Sequence, residues 1–274
     1  MSDTKLKLEK VNITLDSKVV LDNVNLEVSD GDIVSLMGSS ASGKTSLIRS
    51  IAGFHNITSG CIFIDEKIVD DSKKREGVSK RNIGVIFQDL ALFPHLTVRE
   101  NICFGLNTLS KKQQFDRAEK LEEILNIVDI KHRYPDQISG GQQQRVAIAR
   151  AIAPGPKLLL LDEPFSALDY ELKEGLMNDI KKLIKSEKIT AILITHSAEE
   201  AFKMSDKIAF ISENTITQYA DPYDLYHKPV SKEIANFFGI SSYIKATVKD
   251  SSHLSSVLGL SLIHISEPTR RRGI

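Results

Sequence analysis

The sequence has no tryptophan, only two cysteines and no surplus of charge, and each lack excludes a class of protein. Cys61 and Cys103 stand isolated among 274 residues, so neither a disulfide framework nor a metal site with ligand spacing is available, and a reducing compartment suits them. Lysine and arginine number 36 against 36 aspartates and glutamates. That balance argues against bulk, non-specific nucleic-acid binding. No apolar run approaches the ~18 residues of a membrane-spanning helix, and the opening MSDTKLKLEK lacks the apolar core of a secretory leader. What is present, 41% hydrophobic and 26% charged residues, is the composition of a globular protein with chain enough for a large core.

Short apolar runs open the chain: Leu6, Leu8 and Val11, then Val19 to Leu21, then Val24, Leu26 and Val28. With turn signals at Asp22-Asn23 and Ser29-Asp30-Gly31 they predict a small antiparallel sheet. Ile33 to Met37 is a buried strand running into a Gly/Ser loop, followed by Leu47, Ile48, Ile51 and Ala52 at helical spacing. A helix over 111–130 would bury Phe115, Ala118, Leu121, Leu125 and Val128, and a second would bury Leu172, Leu176, Met177, Ile180, Leu183 and Ile184. The apolar strands Leu158 to Leu161 and Ala191 to Ile194 alternate with these helices. The expected fold is α/β: a mostly parallel sheet in a P-loop core, with an antiparallel β flank and a helical subdomain at about 89–153.

Gly38-Ser39-Ser40-Ala41-Ser42-Gly43-Lys44-Thr45 fits G-x-x-x-x-G-K-[ST] between a strand and a helix. The backbone N–H groups and helix N-terminus would cradle phosphates, Lys44 would reach the β- and γ-phosphates, and the Thr45 hydroxyl would bind Mg²⁺. No N-K-x-D guanine-reading motif accompanies it, which disfavours a GTPase. The strand Leu158 to Leu161 ends in Asp162 and Glu163, suited to Mg²⁺ and to activating water respectively. Ser139 and Gln142 form an S-x-x-Q capping box, and Gly140-Gly141 bares backbone at a positive helix end, a second phosphate site. His196 ends a strand, and Ser197 with Glu200 predicts another capping box.

ISGGQQQR about twenty residues before LLLLDEP, followed by FSALD and ITHS, resembles the ATP-binding cassette (ABC) family of transporter ATPases over roughly Lys5 to Gly239. The resemblance implies a cassette domain over residues 1–239 that binds ATP and Mg²⁺ and works as a homodimer or with a paired cassette. In such a pair Ser139, Gly140, Gly141 and Gln142 contact the nucleotide of the opposite subunit, and Asp169 crosses the seam. Gln88, in VIFQD, matches the loop glutamine that senses Mg²⁺ and water; His196 matches the γ-phosphate contact. The stretches RNIGVIFQDLALFPHLTVRENICFGL and DPYDLYHKPVSKEIANFFG resemble the importer branch for iron, polyamine, sulfate and sugar uptake, nearest its ferric-iron and polyamine members. This implies a transmembrane permease, a periplasmic or lipoprotein solute-binding protein, and a peripheral place on the cytoplasmic face of the inner membrane, with no nucleic acid. The rival readings are a soluble cassette ATPase acting on DNA or ribosomes, and a catalytically weak cassette.

Two residues depart from the pattern. Leu15 stands where the family stacks an aromatic ring on adenine, and Ala41 where it often has glycine. Residues 240–259, with a strand at Tyr243 to Val248, resemble the start of a truncated β-rich regulatory domain. The string LSLIHISEPTR, within 260–274, resembles translated sequencing adaptor.

Overall fold

In the computed structural model the described residues are 4–166, 170–239, 244–250, 253–256 and 259–262. Two long strands, β1 (Thr4–Leu15) and β2 (Lys18–Ser29), pair antiparallel across a turn at Asp16-Ser17, both with left-handed φ. The three opening runs are therefore two strands. Asp22-Asn23 makes no turn: Asn23 takes φ 48° inside β2, and its N–H donates to Asn12 Oδ1 at 2.8 Å. With β4 (Ser59–Ile64) and β5 (Lys67–Asp70) they form a sheet of order β2-β1-β4-β5.

The main sheet holds β3 (Ile33–Gly38), β6 (Ile83–Ile86), β7 (Leu158–Asp162), β8 (Thr190–Ile194), β9 (Lys207–Ser212) and β10 (Thr215–Ala220), ordered β10-β9-β3-β8-β7-β6. All neighbours are parallel except the β9–β10 pair. Apolar runs rather than alternation mark β3, β7 and β8 because both faces are covered. Leu159 and Leu161 join one core cluster and Leu158 and Leu160 the other. The helices α2 (Val98–Cys103), α3 (Lys111–Ile124), α4 (Gly140–Ile152) and α5 (Tyr170–Ser186) cover the first face. The antiparallel sheet and α1 (Lys44–Ala52) cover the second. Beyond α6 (Ala198–Met204), the helices α7 (Pro222–His227) and α8 (Lys232–Phe238) pack Leu225, Ile234 and Phe238 against Phe210. Three short strands, β11 (Ala246–Val248), β12 (His253–Ser256) and β13 (Gly259–Leu262), make a separate antiparallel sheet. No helix among the described residues is long and apolar enough to cross a membrane.

The helix expected over 111–130 ends at Ile124, because Asn126 turns left-handed at φ 54°. Phe115 is not core: it is 47% exposed, with the Arg99 guanidinium 4.2 Å above its ring. Ala118, Leu121 and Leu125 are fully buried as expected, whereas Val128 is 38% exposed. In α5, Leu176, Met177, Ile180, Leu183 and Ile184 are buried; the side chain of Leu172 lies outside the described residues.

The C-terminal end of α1 is anchored from below. Gly53 closes the helix at φ 91°, its N–H returning to the carbonyls of Arg49 and Ser50. The Arg81 guanidinium crosses where a Gly53 side chain would stand and donates to Ser50 O at 2.9 Å and Ile51 O at 2.7 Å. Asp70 faces it, and both side chains are buried.

Candidate active site

The sheet order β3-β8-β7-β6 sets four C-terminal strand ends in a row, the place where α/β sheets bind ligands. From β3, Gly38 takes φ 145°, Ala41 φ 63° and Gly43 φ 96°, wrapping the loop into a ring before α1. A Cβ on Gly38 would lie 2.2 Å from Ile211 O, so no side chain fits there. Gly43 caps α1 without any side-chain acceptor, and the first-turn N–H groups stay open to an anion. Lys44 is buried inside the ring and donates to Gly38 O at 3.0 Å, Ser39 O at 2.7 Å and Ser42 Oγ at 3.2 Å. Burial holds its ammonium below the ordinary lysine value, against the pull of Glu163 and Asp162.

Asp162 ends β7, and Thr45 Oγ1 donates to its Oδ1 at 3.4 Å. Burial, with the neighbouring Glu163 charge, pushes the Asp162 carboxyl above its usual range. The Asp162 carboxylate and the Thr45 hydroxyl beside it are hard oxygen donors of the kind that fit Mg²⁺, which keeps several waters. Gln88 follows β6 and reaches the same place: a cavity of about 570 Å³ is lined by Thr45, Arg49, Phe87, Gln88, Asp89, Ala91 and Asp162.

Glu163 holds a left-handed φ of 50°, with its N–H donating to Ile194 O of the next strand at 3.2 Å. The twist turns its side chain to His196, whose Nε2 lies 2.7 Å from Glu163 Oε1. Both residues line a cavity of about 530 Å³ with Ser40 to Ser46 of the loop, and with Lys18, Val19, Val20 and Asn214. Phosphate loop, Asp162, Glu163, His196 and Gln88 thus meet at one edge of the sheet.

The remaining expected residues that the structure describes lie outside these cavities. Ser139 caps α4 in a complete capping box with Gln142, but Ser139 and Gly140 are exposed, and neither they nor Gly141 and Gln142 line these cavities. Leu15 ends β1 packed against the core and does not line this cavity, whose wall beside the loop includes Lys18, Val19 and Val20. Asp169 lies outside the described residues. The expected capping box at Ser197 is half made: Ser197 Oγ accepts from the Glu200 N–H at 3.4 Å, while the Glu200 carboxylate turns away to Thr195 and Lys173. Sequence reading missed Lys18, Val19, Arg49, Lys173 and Asn214. None sits in a motif; strand pairing and helix packing bring them in.

The family described as ABC transporter matches residues 21–166. The spermidine/putrescine import ATP-binding protein PotA of Bacillus cereus is 39% identical over 242 residues, covering 88% of this chain and 73% of its own length. The Fe(3+) ions import ATP-binding protein FbpC of Fusobacterium nucleatum is 38% identical over 248 residues, 90% of this chain and 66% of its own. Among solved structures, the dimeric ATP-binding cassette MJ0796 in a post-hydrolysis state with ADP and Pi is similar at TM-score 0.69 and 31% identity, over 79% of this chain and 98% of its own.

Proposed function

The chain belongs to the ABC transporter family, and from that premise we propose that it is the ATP-hydrolysing subunit of an importer, paired with a second cassette against a separate membrane permease. The observation that carries this reading is the Glu163–His196 pair beside the phosphate loop, 2.7 Å apart at the ends of neighbouring strands. The loop from Gly38 to Thr45 binds the phosphates through its N–H groups, with Lys44 as the fixed cation. Thr45, Asp162 and Gln88 would hold Mg²⁺, which neutralises charge on the transferred phosphoryl group. Glu163 takes a proton from the attacking water, whose oxygen bonds to the γ-phosphorus as the bond to the ADP oxygen breaks. His196 holds a γ-phosphate oxygen and keeps Glu163 turned toward the water.

The exposed, well-capped N-terminus of α4 supports the pairing. Ser139, Gly140, Gly141 and Gln142 lie off the chain's own phosphate cavity and are free to meet a nucleotide held by a second cassette, with Asp169 at the seam. Gln88 and the helices between β6 and β7 would pass closure on to the permease. The subunit would then sit peripherally on the cytoplasmic face of the inner membrane, and a solute-binding protein would deliver cargo outside. The names of PotA and FbpC point to a polyamine or ferric iron as the cargo class. Leu15 supports weak ATP affinity and poor discrimination against GTP.

The test is co-expression with a candidate importer permease, followed by affinity capture, reconstitution into vesicles and uptake of labelled spermidine or ferric iron. ATP-dependent uptake by the captured complex is the expected result. An ATPase that captures no permease and sediments with ribosomes or DNA would favour the soluble reading.

A further inference from the structure

Beyond the Glu163–His196 pair a further cavity of about 320 Å³ is walled by Lys173, Thr195 and Glu200. Glu200 is only 5% exposed, and Thr195 only 2%. One Glu200 oxygen accepts from the Thr195 hydroxyl, and the other pairs with the ammonium of Lys173 in the first turn of α5. The Thr195 oxygen also accepts from the Ser197 N–H at 3.0 Å. Thr195 and Ser197 are the chain neighbours of His196, so the segments on both sides of the imidazole hang on one buried carboxylate. A capping box would have satisfied Glu200 locally; its carboxylate instead reaches back past the helix start to the strand end that carries His196.

We propose that Glu200, acting through the Thr195 hydroxyl and fixed by Lys173, is the positioning residue that holds His196 against Glu163 and the γ-phosphate. This rests on the reading of His196 as the γ-phosphate contact. Misplacing a catalytic group by about 1 Å costs on the order of a hundredfold, and losing an outer-shell hydrogen bond about ten- to a hundredfold. The link acts on geometry during turnover, so it moves kcat rather than KM.

The experiment is steady-state ATP hydrolysis by the full chain in Mg²⁺, with melting temperature and KM recorded for each variant. His196→Ala should abolish turnover. Thr195→Val should lower kcat about tenfold or more with KM within about twofold, and Thr195→Ser should restore it to within about threefold. If His196→Ala is inactive while Thr195→Val turns over like wild type, the positioning role is overturned and the nucleotide reading stands. If His196→Ala itself turns over like wild type, the role of His196 falls and the proposal with it. Should Thr195→Val not fold, Glu200→Leu, which removes the acceptor of the Thr195 hydroxyl, reads the same link, and an unchanged kcat there overturns the proposal equally.

Discussion

Replacing Arg81 by methionine should unseat the helix that carries the phosphate loop. The guanidinium donates to Glu76 O at 3.0 Å, Ser50 O at 2.9 Å, Ile51 O at 2.7 Å and Val69 O at 3.2 Å, and faces Asp70 Oδ2 at 3.4 Å. Methionine fills much of the volume but leaves the last carbonyls of α1 bare, and Asp70 with the Ser72 N–H at 3.1 Å as its remaining hydrogen bond. Stranding a buried charge costs about 3–5 kcal/mol. At about 2–4 °C per kcal/mol for a protein of this size, the melting temperature should fall by about 6–20 °C. Adding Asp70→Asn removes the stranded charge and should return about 1 kcal/mol or more of the loss. The assay is thermal and urea unfolding of the wild type, both single variants and the double variant without nucleotide. Melting of Arg81→Met within about 2 °C of wild type, or a double variant no more stable than Arg81→Met, would refute the reasoning.

Two further perturbations probe the site itself. Asp162→Asn should raise the melting temperature at pH 7 without metal by a few degrees, since it removes a buried charge, while Mg²⁺-dependent turnover disappears. The sign follows from the raised carboxyl: the folded protein binds the proton more tightly, so wild-type stability is lost as pH climbs from the ordinary carboxylate range through the raised one. The gap between variant and wild type should therefore close below about pH 4, and a gap independent of pH contradicts it. Leu15→Tyr should tighten ATP binding by about 1 kcal/mol, roughly fivefold in Kd by titration, and more for ATP than for GTP. An unchanged Kd would show that the base lies only against Val19 and Val20.

The sequence made the chemistry of the site more legible than its walls. Gly38 to Thr45, Asp162, Glu163, His196 and Gln88 could be read because each follows an apolar strand, and parallel pairing of β3, β8, β7 and β6 brings those ends together. The two faces of β7 were readable as one buried run, but their division between two cores needed the partner elements. Asn23 misled because a turn residue can also serve a bulge inside a long strand. Phe115 misled because helical periodicity cannot foresee a guanidinium lying over an exposed ring. Glu200 read as a local cap because Lys173, which draws it away, arrives from another helix.

The measurement that tests the account most directly is ATP hydrolysis by Glu163→Gln, read beside nucleotide binding and light scattering in Mg²⁺. The amide keeps the shape and the contact with His196 but cannot take the proton of the attacking water. The account predicts that this variant binds ATP, gains mass as a dimer and loses turnover by about a hundredfold or more. Wild-type turnover in Glu163→Gln would contradict it.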